Sequence, residues 1–325
     1  MKIALITALH RQPTPEWIKS LPDIPVIIVD DSNGKIKIDR ENTEVFDYKR
    51  QEEELGEHYE YFAKTFHKSS ACKNFGLWYA YKQGYDYVIM IDSDCNCSPN
   101  FVKDHIKAIE KRGTGWENNI EAFGNNFARG FPYSERDKEI VLNMGMWKGQ
   151  MDINGQDKID DPELAEPYDY MWYPLGKNQV AHGMIPLSGM NLIIKREAIP
   201  AYFLIPNFDY EDLKFRRCDD IFGGYVFQKL AKLKGDVISY GQPFVYHDSI
   251  VIPEEDAEEE KAMNEFDSEF YERVEELNEY IIFDKNNYSY VDAFNQFAIV
   301  MEYRLKGTKF ESLISSFNWW KNLYV

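Results

Sequence analysis

The amino-acid sequence predicts an α/β protein built on a largely parallel sheet. Short, β-rich apolar runs alternate along the chain with segments of helical periodicity, the order that strand–helix–strand crossovers produce. Two of those runs end in carboxylates, Asp30-Asp31 and Asp92-Ser93-Asp94, at the strand edge where open α/β sheets bind ligands. The 325 residues are 44% apolar and 15% aromatic, enough for a large core and too aromatic for a disordered polyanion.

Residues 2–7 and 25–29 read as the first two strands, each followed by turn-forming residues. Between them, Thr14 is an N-cap and Pro15 a first helical residue, predicting a short crossover helix over 13–21. Ala71, Phe75, Trp78 and Tyr79 share one face of a helix over 69–84, which Gly84 stops. Residues 87–91 form a continuous apolar strand, and Pro99 opens a helix to about residue 112. Residues 113–180 are rich in Gly, Asn, Asp and aromatics with weak periodicity, and read as long loops over the site. A strand lies within 185–194, a helix spans 219–233 with Gly235 as its cap, and 237–246 holds one or two short strands. After His247, Phe266, Phe270, Val274, Leu277 and Ile281 fall at helical spacing, with more helix at 290–305 and 309–322.

The chain carries 37 basic and 55 acidic side chains, a net charge of −18. That counts against a general nucleic-acid-binding protein, which needs a Lys/Arg excess on some face. The acidity is concentrated in residues 254–280, with 13 acidic and two basic side chains. The remainder is mildly acidic and open to a phosphate-bearing ligand that brings a cation. No run approaches the roughly 20 apolar residues of a membrane span. The opening run ends in His10-Arg11-Gln12 without a small-x-small cleavage site, as a buried strand does and a signal peptide does not. Cys72, Cys95, Cys97 and Cys218 have neither CxxC nor zinc-finger spacing, so free thiols in a reducing cytoplasm are the simplest reading. The expectation is a soluble cytoplasmic protein with a catalytic domain over 1–250 and an acidic helical extension over 251–325. The amphipathic tail is a candidate surface for homo-oligomer contacts.

Asp-x-Asp just past a buried strand can aim two carboxylates at one hard divalent ion, although the tripeptide alone reads first as a surface turn. The preceding run, SSACKNFGLWYAYKQGYDYVIMIDSDC, has a helix with Lys73 and Asn74, a Gly-Tyr-Asp stop, a strand and then the two aspartates. That layout resembles nucleotide-sugar glycosyltransferases of the GT-A type. FARGFPYSERDKEIVLNMGMWKG, MIPLSGMNLIIKREAIP and FRRCDDIFGGYVFQKLAKLKGDVISYGQPFVYHDS follow in order. From about Ile3 to Ser249 the chain resembles the plant reversibly glycosylated polypeptides, also known as UDP-arabinopyranose mutases, with their microbial relatives. The resemblance implies a GT-A-like mixed sheet flanked by helices, a UDP-sugar ligand, Mn²⁺ (or Mg²⁺), and self-glycosylation on arginine. The arginine of the family's RG[YF]P[FY]S sequence falls on Arg129, and a second, seven residues on, falls on Arg136. Of the family's three consecutive aspartates the outer two remain, as Asp92 and Asp94 around Ser93. Its CGMN is here Ser188-Gly189-Met190-Asn191, without the thiol. The acidic tail matches poorly and inherits nothing.

The metal set is Asp94 as direct ligand, Asp92 reaching ribose or metal, and His247, which is otherwise structural; the family keeps a histidine at that place. Mn²⁺ accepts such mixed oxygen and nitrogen donors. The nucleotide-sugar set is Thr7, Asp31 for the base, Lys73, Asn74, Asp92, Ser93 and Asn191. Asp219 and Asp220 precede a helix, where N-capping and dipole compensation stand beside a catalytic role facing the sugar. Gly223-Gly224 costs that helix about 1 kcal/mol per residue, which signals a close neighbour. Arg136 would be a cation for the diphosphate or the departing UDP. Arg129, with a guanidinium pKa above about 12, needs a carboxylate such as Asp219 or Asp220 to take its proton if it is to attack a sugar. Met144, Met146, Met184, Met190, Trp147, Trp172 and Tyr173 belong either to the core or to a sugar pocket. Two activities are expected from these residues. One is a flavin-free, metal-dependent mutase between UDP-arabinopyranose and UDP-arabinofuranose, there being no GxGxxG for a flavin. The other is a glycosyltransferase that moves the sugar to an external glycan or protein.

Overall fold

Apolar runs of five to seven residues form the centre of the fold, in a computed structural model that describes residues 1–120, 126–168, 178–279 and 288–324. The elements of the first half are β1 (Ile3–Leu9), α1 (Pro15–Ser20), β2 (Val26–Asp30), β3 (Thr43–Phe46), α2 (Tyr48–Leu55), α3 (Tyr59–Phe66), α4 (Lys73–Lys82), β4 (Tyr87–Ile91), β5 (Cys95–Cys97), α5 (Phe101–Ile109), β6 (Arg112–Gly113) and β7 (Lys138–Gly149). Then come α6 (Gly155–Asp160), β8 (Gln179–Val180), β9 (Asn191–Lys195), β10 (Phe208–Tyr210), β11 (Leu213–Phe215), α7 (Asp219–Lys234), β12 (Val237–His247), α8 (Pro253–Glu275), α9 (Tyr290–Leu305) and α10 (Leu313–Asn322).

Among the described residues the main sheet runs β3-β2-β1-β4-β9-β7-β12-β5, with β6 and β8 on its margins. β3, β2, β1 and β4 are mutually parallel. β9 enters antiparallel between β4 and β7, β12 runs parallel to β7, and β5 closes the edge antiparallel. The sheet is therefore mixed and flanked by helices, with the carboxyl ends of β1, β2, β4, β7 and β12 on one edge. Alternation along β1 sends Ala4, Ile6 and Ala8 to one face and Leu5 and Leu9 to the other, as a strand buried on both faces requires. α1 and α5 cover the second face, through Trp17 and Phe101. α2, α3, α4, α7 and the C-terminal helices cover the first.

Local chemistry sets the helix ends. The Thr14 hydroxyl accepts from the Trp17 amide at 3.2 Å with Pro15 at the first turn, and Gly235 takes φ 90° to end α7. The two adjacent glycines of α7 have the close neighbours expected of them: a Cβ on Gly223 would lie 2.2 Å from the Phe203 carbonyl oxygen, and one on Gly224 2.9 Å from Leu187 Cβ.

Residues 113–180 depart from the expected long loops, because they contain the central twelve-residue strand β7. Its Asn143 and Gly145 look loop-like in sequence but are required by the neighbouring strands. Asn143 donates to the Gln242 carbonyl at 2.9 Å and accepts from the Ser239 hydroxyl at 2.8 Å. A Cβ on Gly145 would lie 2.2 Å from the Asn191 amide nitrogen and 2.5 Å from the Pro243 carbonyl oxygen. Trp172, Tyr173 and Ile281 lie outside the described residues.

The acidic tail is also an interior wall. Phe270, Val274 and Leu277 are buried in the same core layer as α4 and α7, with Phe270 stacked on Phe222 at 4.3 Å. Trp320 and Trp319 donate to the carbonyls of Pro200 and His58 at 2.9 and 3.0 Å. The apolar stripe expected to face a second copy is occupied within the chain. No helix among the described residues is long and apolar enough to cross a membrane.

Candidate active site

A cavity of about 780 Å³ opens along the carboxyl edge of the sheet, the position the parallel strand ends dictate. Asp92 and Asp94 reach it from the turn after β4, His247 from the end of β12, and Asp219 and Asp220 from the first turn of α7. The buried Lys73, first residue of α4, pairs its ammonium with Asp92 Oδ1. Burial alone would lower the Lys73 pKa, but the Asp92 charge reverses this and raises it, so the lysine stays a cation.

His247 Nε2 stands 3.5 Å from Asp94 Oδ2, and its Nδ1 lies 2.8 Å from the Gln150 carbonyl oxygen. That carbonyl can only accept, so Nδ1 carries the proton and Nε2 faces Asp94. Burial raises the Asp94 pKa, yet the His247 hydrogen bond overcomes it and the net shift is downward. The His247 shift is upward, because Asp94 outweighs desolvation.

The α7 pair behaves differently. Burial, followed by the neighbouring Asp219 charge, holds Asp220 well above the usual carboxylate range, and Asp220 Oδ2 accepts from the Gly189 amide at 2.7 Å. Asp219 is raised as well, chiefly by burial, while Lys73 pulls it back down. Both carboxyls are raised, Asp220 further than Asp219, so Asp220 is the one that holds its proton more strongly, the ordering that suits an acid beside a base.

A divalent ion fits this end of the cavity in part. Asp94 and His247 offer oxygen and imidazole nitrogen with the second-shell carbonyl that a metal-bound histidine ordinarily has. Asp92 does not complete a three-ligand cluster with them, because the buried Lys73 ammonium needs a counter-charge and takes it. The residues present suit an ion held by two side chains and completed by ligand phosphate oxygens, as Mg²⁺-type sites commonly are.

Several residues expected in the site lie elsewhere. The Asn74 amide is spent on the Leu204 backbone, donating at 2.7 Å and accepting at 3.0 Å. Asn191 donates to the carbonyls of Met146 and Pro243 and meets His105 Nε2 at 2.9 Å. Both amides serve buried polar groups that would otherwise go unpaired. Thr7 is fully buried in β1, its hydroxyl without a partner. Ser93 sits in the turn between the two aspartates and does not line the cavity. Asp31 stands behind the lining, 3.0 Å from His10 Nδ1 and 3.1 Å from the Tyr48 hydroxyl. Arg129 is exposed and off the cavity. Arg136 is also off it, donating to the Phe131 carbonyl at 2.8 Å with its guanidinium 3.9 Å from the Tyr133 ring centroid. Of the residues left open between core and pocket, Met190 and Trp147 line the cavity and Met144 packs in the core.

The cavity also holds residues that motif reasoning missed: His10, Lys68, Asp152, Arg217 and the α8 carboxylates Asp256 and Glu260. His10 directly follows β1, so the strand-end rule that found Asp92 could have found it. Arg217 adopts φ 55° and pairs with Asp256 and Glu260, a long-range contact with no local sequence signal.

A search of the curated proteins finds no match. Among solved structures, glucosyl-3-phosphoglycerate synthase from Mycobacterium tuberculosis in complex with Mn²⁺, UDP-glucose and phosphoglyceric acid is 14% identical, with 83% of this chain and 79% of that chain covered and a TM-score of 0.43. Its complex with Mg²⁺ and UDP is 14% identical over 82% and 78%, with a TM-score of 0.40. A mycobacterial protein is 15% identical over 82% and 74%, with a TM-score of 0.43. At such scores a likeness speaks to neither ligand nor reaction. The family comparison is of another order, since residues 3–318 match the family described as reversibly glycosylated polypeptide, a match that runs through the acidic helices expected to lie outside it. With nearly its whole length matched, the chain belongs to the reversibly glycosylated polypeptide family.

Proposed function

We propose that this protein is a metal-dependent enzyme acting at the anomeric carbon of a UDP-sugar, and that it interconverts UDP-arabinopyranose and UDP-arabinofuranose. The observation that carries the reading is the convergence of Asp92, Asp94, His247, Asp219 and Asp220 on one cavity. From His10 after β1 to His247 at the end of β12, the lining crosses β4, β9 and β7. Four inter-strand spacings of about 4.8 Å make roughly 19 Å, a span suited to a nucleoside diphosphate carrying a sugar. The choice of uridine and of arabinose rests on the family.

Breaking the bond between C1 and the diphosphate oxygen leaves negative charge on UDP. Lys73 offers a preformed cation beside Asp92, and Asp94 with His247 would hold the divalent ion. When bound, that ion supplies Lewis-acid stabilisation of the same charge. Ring contraction exchanges the O5–C1 bond for an O4–C1 bond, so one proton leaves O4 and one arrives at O5. Asp219, steadied by Lys73, is matched to accept the first, and protonated Asp220 to deliver the second. UDP returns to C1, so no acceptor is consumed. Arg129 and Arg136, which do not line the cavity, are assigned no role in these steps.

The test is incubation with UDP-arabinopyranose and Mn²⁺ followed by chromatography of the nucleotide sugars. UDP-arabinofuranose without net UDP release supports the mutase. Free UDP that accumulates only with an added glycan or protein acceptor identifies a transferase instead.

A further inference from the structure

We propose that His10, Asp31 and Cys72 form a second metal site, for a thiophilic divalent ion such as Zn²⁺, at the β1 end of the cavity. The donors come from three elements that meet at the carboxyl edge. His10 follows β1, Asp31 follows β2, and Cys72 ends the short 3₁₀ turn Ser70–Cys72 that leads into α4. Their ligand atoms lie within 4.8 Å of one another, with His10 Nδ1 3.0 Å from Asp31 Oδ2. A tetrahedral ion with bonds of about 2.0–2.3 Å would gather them to about 3.5 Å. The exposed His10 ring can turn toward the buried Asp31 and Cys72, and the rest of the closure falls to small shifts of those two side chains.

Neighbouring donors already hold the Asp31 carboxylate. Asp31 accepts from the Tyr48 hydroxyl at 3.1 Å and from the Lys68 amide, which orients the carboxylate as ligating carboxylates are ordinarily oriented. The chemistry also separates this site from the Asp94–His247 pair. Oxygen and imidazole donors suit Mn²⁺ or Mg²⁺, while thiolate, imidazole and carboxylate together select Zn²⁺. Burial, and next the Asp31 charge, push the Cys72 thiol well up, so without an ion it is a neutral thiol. Binding forms the S–metal bond and releases the thiol proton to solvent. His10 lines the cavity, and an ion held by these three donors would keep a fourth position for water or a ligand. Three protein ligands with an open fourth position is the pattern of a site that admits a ligand or water. On the UDP-sugar reading, an ion there would occupy the base end of the cavity and oppose nucleotide binding.

Full-length protein, first stripped with chelator, is titrated with Co²⁺ and separately with Zn²⁺. The expected result is a thiolate-to-cobalt charge-transfer band that one equivalent of Zn²⁺ displaces. His10→Ala and Cys72→Ser each remove the band and weaken Zn²⁺ binding by about tenfold or more, while Mn²⁺ binding is unchanged. His10→Ala alters an exposed side chain, so it reports on the site even if Cys72→Ser fails to fold. A wild-type protein with no thiolate band, or a band that survives His10→Ala, overturns the proposal. The readout needs no sugar, and turnover is assayed separately on stripped protein given Mn²⁺ alone: a band with no turnover of any UDP-sugar in that assay leaves this site standing and removes the proposed function, and turnover without a band does the reverse.

Discussion

Asp94 and His247 meet at 3.5 Å, and the histidine is fixed from behind by the Gln150 carbonyl. Removing the carboxylate takes away an ion ligand and leaves the imidazole unopposed. Asp94→Ala is expected to lower turnover of a UDP-sugar on the order of 10²-fold, measured as initial rate against Mn²⁺ concentration. Asn74→Ala should behave in the opposite way. It strands the Leu204 amide and carbonyl, costing about 1–3 kcal/mol in urea unfolding, with KM for the UDP-sugar unchanged. His105 supplies a pH test. Burial depresses its pKa to about 3, so between about 6.5 and 3 the unfolded chain binds a proton that the folded chain does not. Stability therefore falls with acidity in that window, by up to about 1.4 kcal/mol per pH unit, and His105→Gln should flatten that part of the slope. The sequence revealed the carboxylates because Asp92 and Asp94 follow a strand and Asp219 and Asp220 open a helix. Asn74, Asn191 and Arg136 were not readable in the same way. An amide or guanidinium goes wherever a buried carbonyl or aromatic ring lacks a partner, and that place is set by chain segments remote in sequence.

At the scale of elements, β1, β2 and β4 announce themselves as apolar runs, and Thr14-Pro15 marks the start of α1. β7 does not, because Asn143 and Gly145 answer to β12 and β9 and to no local rule. Gly145→Ala should cost about 1–3 kcal/mol or more from overpacking, read as a lower denaturation midpoint. The same measurement on an exposed control such as Gly183, which has no neighbour within 4 Å of an added Cβ, should show little change. α8 was legible as an amphipathic helix, but its periodicity does not say what covers the apolar face. The structure answers with α7 and Phe310. Its carboxylates Asp256 and Glu260 then hold Arg217 at the cavity.

Across the whole molecule, the net charge of −18 resolves into an acidic helix that walls the cavity and a sheet edge where Lys73 offsets Asp92. Helices after residue 250 share the core with α3 and α4, so Trp320→Ala is expected to cost about 3–5 kcal/mol by chemical unfolding of the full chain. The central claim is that the cavity along the carboxyl edge turns over a UDP-sugar with the help of a divalent ion at Asp94 and His247. The most direct measurement is chromatography of nucleotide sugars after incubating the protein with UDP-arabinopyranose, with Mn²⁺ or with EDTA. The account predicts UDP-arabinofuranose in the Mn²⁺ arm and its loss both in EDTA and in Asp94→Ala. Equal interconversion in all three arms, or unchanged substrate throughout, would contradict it.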